Sequence, residues 1–257
     1  MTARFVLVHG LFTSRSMWRR QIDALEEAGF RVVAPDLPGH GARFDAFTLA
    51  SAMATIDDAV DEARSFGDGP VILVGLSLGG YLTMEYVGRQ PRAVDGLIAM
   101  ACTTSPLRFG LRMYRTLTGV LGRFADGGIR LEYGYNRLLV GRVGAEDFVS
   151  GGPSVDSAYD AIDTVAGLQP LRSIAAASAA GLPMWFVSGQ FDQMRIGERR
   201  FHEAAPHALR TIVPGSGHMV NLYDPSAVNR LLVAAGRATD EGSASARDGE
   251  GAGLLVK

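Results

Sequence analysis

Short apolar runs alternate with longer amphipathic runs along the first hundred residues. Each short run is apolar throughout, as in a strand buried on both faces of a sheet, and each longer run carries apolar residues at helical spacing. The predicted strands are 5–8, 31–34, 71–74 and 96–101, and the predicted helices between them are 17–28, 49–66 and 81–89. This order predicts an α/β fold, a mostly parallel sheet with helices on both faces.

The alternation stops after residue 102 and resumes near residue 181. Strand-like runs return at 184–187 and 209–213, and a last helix is predicted at 225–236. An insertion at this point of such a fold would lie over the carboxyl edge of the sheet, where ligands bind. We therefore predict a core formed by 1–102 and 181–236, with a helical cap formed by 103–180.

The first part of the predicted cap carries apolar side chains at intervals of three and four, flanked by arginines and interrupted by glycines. Such a stripe packs a cap helix on the core, and it also suits the lining of an apolar substrate pocket. The arginines fit a solvated helix face or attraction of an anionic substrate or a membrane surface. The stripe consists of Leu107, Leu111, Tyr114, Leu117, Leu121 and Phe124.

Composition narrows the class of protein. The chain has 257 residues, 47% of them hydrophobic, which suits one large core. A net charge of −2 gives no basic field for nucleic acid.

No apolar stretch reaches the roughly 18 residues of a membrane span, and no leader pattern opens the sequence. We expect a cytoplasmic protein, a monomer or homodimer, with a disordered tail at 237–257 that is rich in small and charged residues.

The single cysteine, Cys102, excludes an intrachain disulfide. It ends an apolar run and has no activating partner in the sequence. We therefore interpret it as a small buried side chain and not as a nucleophile.

Ser77 is the strongest candidate for catalysis. It lies between Gly75 and Gly79, directly after a predicted strand and before a helical pattern. A serine held on such a turn has a strained backbone that brings the residues two before and two after it too close for side chains. The turn raises the hydroxyl above the sheet edge and directs the Leu78 N–H toward a developing negative charge.

A serine nucleophile needs a base and a group that orients the base. His218 lies in a glycine-rich loop after the last predicted strand, and Asp192 follows another predicted strand, in the chain order serine, acid, histidine. Helix capping is the alternative role for Asp192. The loop after the first strand must supply the second oxyanion donor, for which we choose the Leu11 N–H, with Phe12 as the alternative. The histidines and aspartates that fit less well are His9, His40, His202, His207, Asp156, Asp160 and Asp163.

With these residues assembled, the chain resembles the α/β-hydrolase superfamily over most of residues 4–236. The similarity is carried by the segments 8–10, 35–41, 75–80, 188–192 and 217–219. A narrower similarity points to the small esterases and methylesterases related to hydroxynitrile lyases.

The resemblance implies an α/β-hydrolase fold and a Ser77–Asp192–His218 triad, with Leu11 and Leu78 supplying the oxyanion hole. It also implies that His9, Asp36 and His40 are chiefly structural, and it implies no cofactor or metal. A serine at the elbow argues against the dehalogenases and epoxide hydrolases of this fold, which carry an aspartate there. The chain departs from many relatives at Leu76 and Gln190.

The predicted activity is hydrolysis of carboxylic esters of small apolar or aromatic substrates through an acyl-enzyme. Phe12, Leu76 and Met219 are the predicted lining of an apolar pocket, together with Leu11 and cap residues. The alternatives are carbon–carbon hydrolysis of an anionic dienoic diketone acid or perhydrolysis by the same triad, and a ligand-binding receptor with little turnover.

Overall fold

The computed structural model describes residues 2–106, 108–152 and 155–252, with side chains at 2–106, 110–152 and 157–240. The strands are β1 (Arg4–Val8), β2 (Arg31–Val33), β3 (Val71–Leu76), β4 (Gly96–Met100), β5 (Met184–Gly189) and β6 (Leu209–Val213). The helices are α1 (Arg19–Glu27), α2 (Leu49–Ser65), α3 (Leu78–Arg89), α4 (Arg108–Leu121), α5 (Ile129–Val149), α6 (Val155–Gly167), α7 (Pro170–Ala179), α8 (Glu198–Ala204), α9 (Val220–Tyr223) and α10 (Pro225–Ala252).

The six strands form one parallel sheet in the order β2-β1-β3-β4-β5-β6. The chain leaves β1 for β2 at one edge and then returns to β3 on the other side of β1. The loops after β1 and β3 therefore diverge at a switch point of the sheet, where open α/β folds bind ligands. The predicted α/β fold is confirmed.

Successive strand residues belong to two apolar layers because side chains alternate between the two faces of a sheet. Val6 of β1 packs in the layer that contains Leu82 of α3. Its neighbour Phe5 packs in the layer that contains Leu232 of α10. Helices on both faces explain why the central strands are apolar at almost every position.

Helix boundaries differ from the sequence prediction mainly at the carboxyl end. The last helix, α10, continues past residue 236 to Ala252, so the segment predicted as a disordered tail begins inside a helix. Just past residue 236, the Thr239 hydroxyl donates to the Ala235 carbonyl at 2.8 Å. Residues 253–257 lie outside the described part of the chain. Across the described ranges, no helix combines the length and apolar character needed to cross a bilayer.

In the described part of the predicted cap segment there are four helices, and they have different neighbours. Helices α4 and α5 line the main cavity described below, and α6 borders a smaller cavity at Ser77. Helix α7 packs against α3, where the Ser173 hydroxyl donates to the Glu85 carboxylate at 2.9 Å. Helix α5 bends at Gly141, which has φ 75° and ψ 179°. Leu107 of the predicted stripe lies outside the described residues.

Two buried histidines, His9 and His40, pack against each other where the loop after β1 meets the loop after β2. His9 Nε2 accepts the Leu37 N–H at 2.9 Å, so its proton is on Nδ1, which donates to the Gly10 carbonyl at 2.8 Å. His40 Nδ1 donates to the Pro38 carbonyl at 2.9 Å. Burial lowers the pKa of His9 to about 3, with a further lowering from His40, and burial also lowers the pKa of His40. Both imidazoles are therefore neutral in the folded protein.

The buried imidazoles predict loss of stability in acid. In the unfolded chain His9 binds a proton as the pH falls below about 6.5, whereas in the folded chain it does so only near pH 3. The unfolded state therefore binds more protons between these pH values, and the free energy of unfolding declines as the pH falls. His9→Gln should make the slope between pH 6.5 and 4 shallower by up to about 1.4 kcal/mol per pH unit. Urea unfolding followed by Trp fluorescence measures the slope, with His202→Gln on exposed helix α8 as the control. Equal slopes in wild type and His9→Gln would contradict the prediction.

Candidate active site

Ser77 occupies the sharp turn between β3 and α3. Its φ of 54° and ψ of −112° place it outside the usual regions for a residue with a side chain. The Ser77 N–H donates to the Met100 carbonyl at 2.9 Å, and its carbonyl accepts the Tyr81 N–H at 3.0 Å. The first bond attaches the strained turn to strand β4, and the second attaches it to the first turn of α3.

The two glycines around Ser77 have a steric reason to be glycine. A Cβ at Gly75 would lie 2.4 Å from the Gly79 carbonyl oxygen. A Cβ at Gly79 would lie 2.2 Å from the Val8 carbonyl oxygen at the end of β1. The absence of both side chains lets α3 begin directly against β1.

This contact predicts that Gly79→Ala is severely destabilising. The new methyl group meets rigid backbone, so we expect a loss of at least about 3 kcal/mol in the free energy of unfolding. Gly134→Ala on α5 is the matched control, because nothing lies within 4 Å of its added Cβ, and it should stabilise by about 0.5–1 kcal/mol. Chemical denaturation measures both, and a Gly79→Ala protein as stable as wild type would contradict the packing described.

Hydrogen bonds connect Ser77 to His218 and His218 to Asp192, which lie on two loops distant in the sequence; we call these three residues the relay. His218 Nε2 lies 3.0 Å from Ser77 Oγ, and His218 Nδ1 lies 2.9 Å from Asp192 Oδ1. The Asp192 carboxylate is fully buried, and Oδ1 also accepts the Met194 N–H at 2.9 Å. Asp192 therefore caps a short 3₁₀ helix and also contacts the His218 imidazole.

The loops that carry the acid and the histidine are packed backbone against backbone. A Cβ at Gly189 would lie 2.2 Å from the Gly217 carbonyl oxygen. Gln190 accepts the Gly215 N–H through its side-chain oxygen at 2.9 Å. This amide connects the end of β5 to the histidine loop and so helps to position His218.

The two oxyanion candidates border Ser77 from two sides. Leu78 is the first residue of α3, and Leu11 follows β1; both border a small cavity of about 50 Å³ together with Ser77. Phe12, the alternative donor, has a positive φ of 62°. Cys102 is fully buried, and burial, with a smaller contribution from Asp192, raises the pKa of its thiol far above the usual range. It is the inert buried side chain expected.

The main cavity lies beside Ser77 and His218 and has a volume of about 690 Å³. The sheet edge contributes the predicted pocket residues Phe12, Leu76 and Met219. Three members of the predicted cap stripe also line it, and Leu121 is in addition buried against Phe148, so the stripe both packs and lines the cavity. The lining residues from the cap are Tyr114, Leu117, Leu121, Leu131, Glu132, Tyr135, Asn136, Leu139 and Phe148.

Sequence reasoning missed the contribution of α5. The signal was present as a spacing of four, since Leu131, Tyr135 and Leu139 recur on one face. Two polar residues, Glu132 and Asn136, lie beside them in the cavity wall. Nothing in the pattern shows that this helix face meets a cavity and not solvent.

The chain belongs to the alpha/beta hydrolase family, whose model matches residues 5–231. This class agrees with the parallel sheet and with the strand–serine–helix turn described above, and it supports hydrolase chemistry without specifying the bond.

The curated relatives are similar over shorter stretches. The phospholipase YtpA of Bacillus subtilis is 32% identical over 106 residues, covering 39% of this chain and 40% of that protein. The lipase LipV of Mycobacterium tuberculosis is 33% identical over 102 residues, covering 38% and 36%. The matched segment thus spans well under half of these relatives.

Solved structures match over nearly the whole chain at low identity, which shows the fold. A carboxylesterase from Nitrososphaera gargenis superposes with a TM-score of 0.78 at 17% identity, covering 94% of this chain and 92% of that one. An esterase from Thermogutta terrifontis gives 0.72 at 21% identity, covering 93% and 90%. A structure described as a putative non-heme bromoperoxidase, BpoC of M. tuberculosis, gives 0.71 at 20% identity, covering 93% of each chain.

Proposed function

We propose that this protein is a serine hydrolase that cleaves carboxylic esters through an acyl-enzyme. The observation that carries the proposal is the unbroken chain of hydrogen bonds from Asp192 through His218 to Ser77, ending beside a cavity. A serine hydroxyl becomes a nucleophile near neutral pH only when a positioned base accepts its proton. The strained turn and the buried carboxylate supply that positioning.

In the proposed reaction Ser77 Oγ bonds to the acyl carbon while its proton moves to His218 Nε2. The tetrahedral intermediate collapses, the ester C–O bond breaks, and His218 gives the proton to the leaving alkoxide. Water then attacks the acyl-enzyme with His218 as base, releasing the acid and restoring Ser77. The buried Asp192 carboxylate stabilises the imidazolium at each stage. The N–H groups of Leu78 and of Leu11, with Phe12 as the alternative donor, would bind the oxyanion, each worth about 3 kcal/mol.

The cavity lining favours an uncharged, mainly apolar or aromatic substrate. Among the described residues that line it there is no lysine or arginine. The cap arginine Arg115 pairs with Asp163 and lies over the Tyr159 ring. An anionic diketone acid would therefore find no counter-charge here, which weakens the alternative of carbon–carbon hydrolysis. Two relatives reported above, a phospholipase and a lipase, carry names that agree with ester chemistry.

Removal of the nucleophile or base should abolish ester hydrolysis. With p-nitrophenyl esters from acetate to octanoate, Ser77→Ala and His218→Ala should each lower kcat by at least about 10³-fold, because the triad acts as a unit. Ser65→Ala on the exposed end of α2 is the control and should match wild type. Turnover that is unchanged in Ser77→Ala would disprove the proposal, and ligand-induced thermal stabilisation without turnover would favour the receptor alternative.

The cap should set the accepted acyl length. Leu117 of α4 lines the main cavity and is partly exposed, so a larger side chain there fills space without overpacking the core. Leu117→Trp should lower kcat/KM for octanoate about tenfold while butyrate is little affected. Met113→Trp, at an exposed position of the same helix outside the main cavity, is the control. An identical chain-length profile in Leu117→Trp and wild type would contradict this role of α4.

A further inference from the structure

Asn136 is an unusual residue for the wall of an apolar cavity. It lies on α5, is only 3% exposed and borders the main cavity. Its side-chain oxygen has no hydrogen-bond partner among the described residues. A buried acceptor left without a partner costs about 1–3 kcal/mol, so this amide would gain from a donor brought into the cavity.

Glu132 lies one helical turn earlier and borders the same cavity. Residues four apart share one face of a helix, so its carboxyl group and the Asn136 amide are neighbours in the wall. Within the described ranges, no hydrogen bond or ion pair engages the Glu132 side chain. Desolvation alone raises the pKa of Glu132 to about 8. At neutral pH the group is therefore mainly the uncharged acid, which both donates and accepts hydrogen bonds.

The chemistry of this pair selects among ligand groups. An anion is disfavoured because the wall offers it no basic side chain in the described lining. An ammonium group would have to lose its hydration and deprotonate Glu132 before it found a counter-charge. A hydroxyl group donates one hydrogen bond and accepts others without any charge, and so matches both side chains.

We propose that Glu132 and Asn136 form a polar subsite that binds a hydroxyl group of the substrate. The scissile ester sits at Ser77 on the sheet edge, while the hydroxyl group is bound at the wall formed by α5. The inference rests on the proposed esterase function and deepens it. The preferred substrates are esters with an apolar body and a hydroxyl group separated from the ester bond.

The test compares p-nitrophenyl esters of ω-hydroxy acids, from hexanoate to decanoate, with the unsubstituted esters of equal length. The readout is the ratio of kcat/KM for the hydroxylated ester to that for the plain ester. Wild type should reach a ratio of about three to ten at one chain length, the range that one or two hydrogen bonds provide. Asn136→Leu and Glu132→Leu should each lower this ratio to about one or below.

Two further variants and one stability measurement distinguish hydroxyl binding from a charge effect and from a purely structural role. Glu132→Gln should keep the hydroxyl preference, because glutamine has the shape and the hydrogen-bonding groups of the uncharged acid. Glu146→Gln, the same change at a surface ion pair of α5, is the control. Asn136→Leu should melt no lower than wild type, because it removes a buried unpaired acceptor; a structural role would lower its melting temperature.

Several outcomes would overturn the proposal. A wild-type ratio of one at every length would do so, as would a ratio unchanged in both leucine variants. A preference for ω-ammonium esters that Glu132→Gln abolishes would identify a cation site instead. Turnover of the plain esters that depends on Ser77 tests the esterase function separately, so failure of the subsite and failure of the function are distinguishable.

Discussion

The contact between the start of α3 and the end of β1 is the constraint on which the site depends. Gly79 sits against the Val8 carbonyl with no space for a side chain, so α3 can begin immediately after Ser77. This places a positive-φ serine at the point where the sheet order reverses. Such a backbone conformation costs about 1–3 kcal/mol. The packing of the strands between two apolar layers offsets this cost.

Burial decides the electrostatics of the relay. The Asp192 carboxylate has no exposed surface, and one of its oxygens has no hydrogen-bond partner in the described part of the protein. In the proposed reaction this buried group would face the His218 imidazole with little screening by water. Burial also determines the charge of His9, because it lowers the pKa of this imidazole and keeps it neutral at neutral pH. Among the described residues, the His9 imidazole bonds to backbone groups, whereas His218 bonds to the Asp192 carboxylate.

Much of this arrangement was predictable from sequence because it is encoded locally. The apolar runs predicted all six strands, and the glycines at 75 and 79 predicted the turn at Ser77. The loops that carry Asp192 and His218 followed from chain order, and the structure brings both side chains to Ser77. The role of each residue in catalysis stays a prediction.

The cavity wall was much less predictable. Helix α5 has apolar residues on several faces, and its bend at Gly141 disturbs the helical period. Whether Glu132 and Asn136 face solvent or a cavity depends on tertiary packing, which no local pattern encodes. The end of α10 was missed for a related reason, since its small and charged residues do not form a clear apolar stripe beyond residue 236.

The central claim is that Ser77 is an activated nucleophile, and covalent labelling tests it most directly. An alkyl fluorophosphonate phosphonylates a serine, with loss of fluoride, only when a base takes the proton of the serine hydroxyl. Mass spectrometry of the digested protein should show one stoichiometric adduct, on the peptide that contains Ser77, and no adduct in Ser77→Ala or His218→Ala. A folded wild-type protein without the adduct, or with the adduct on another serine, would contradict the account.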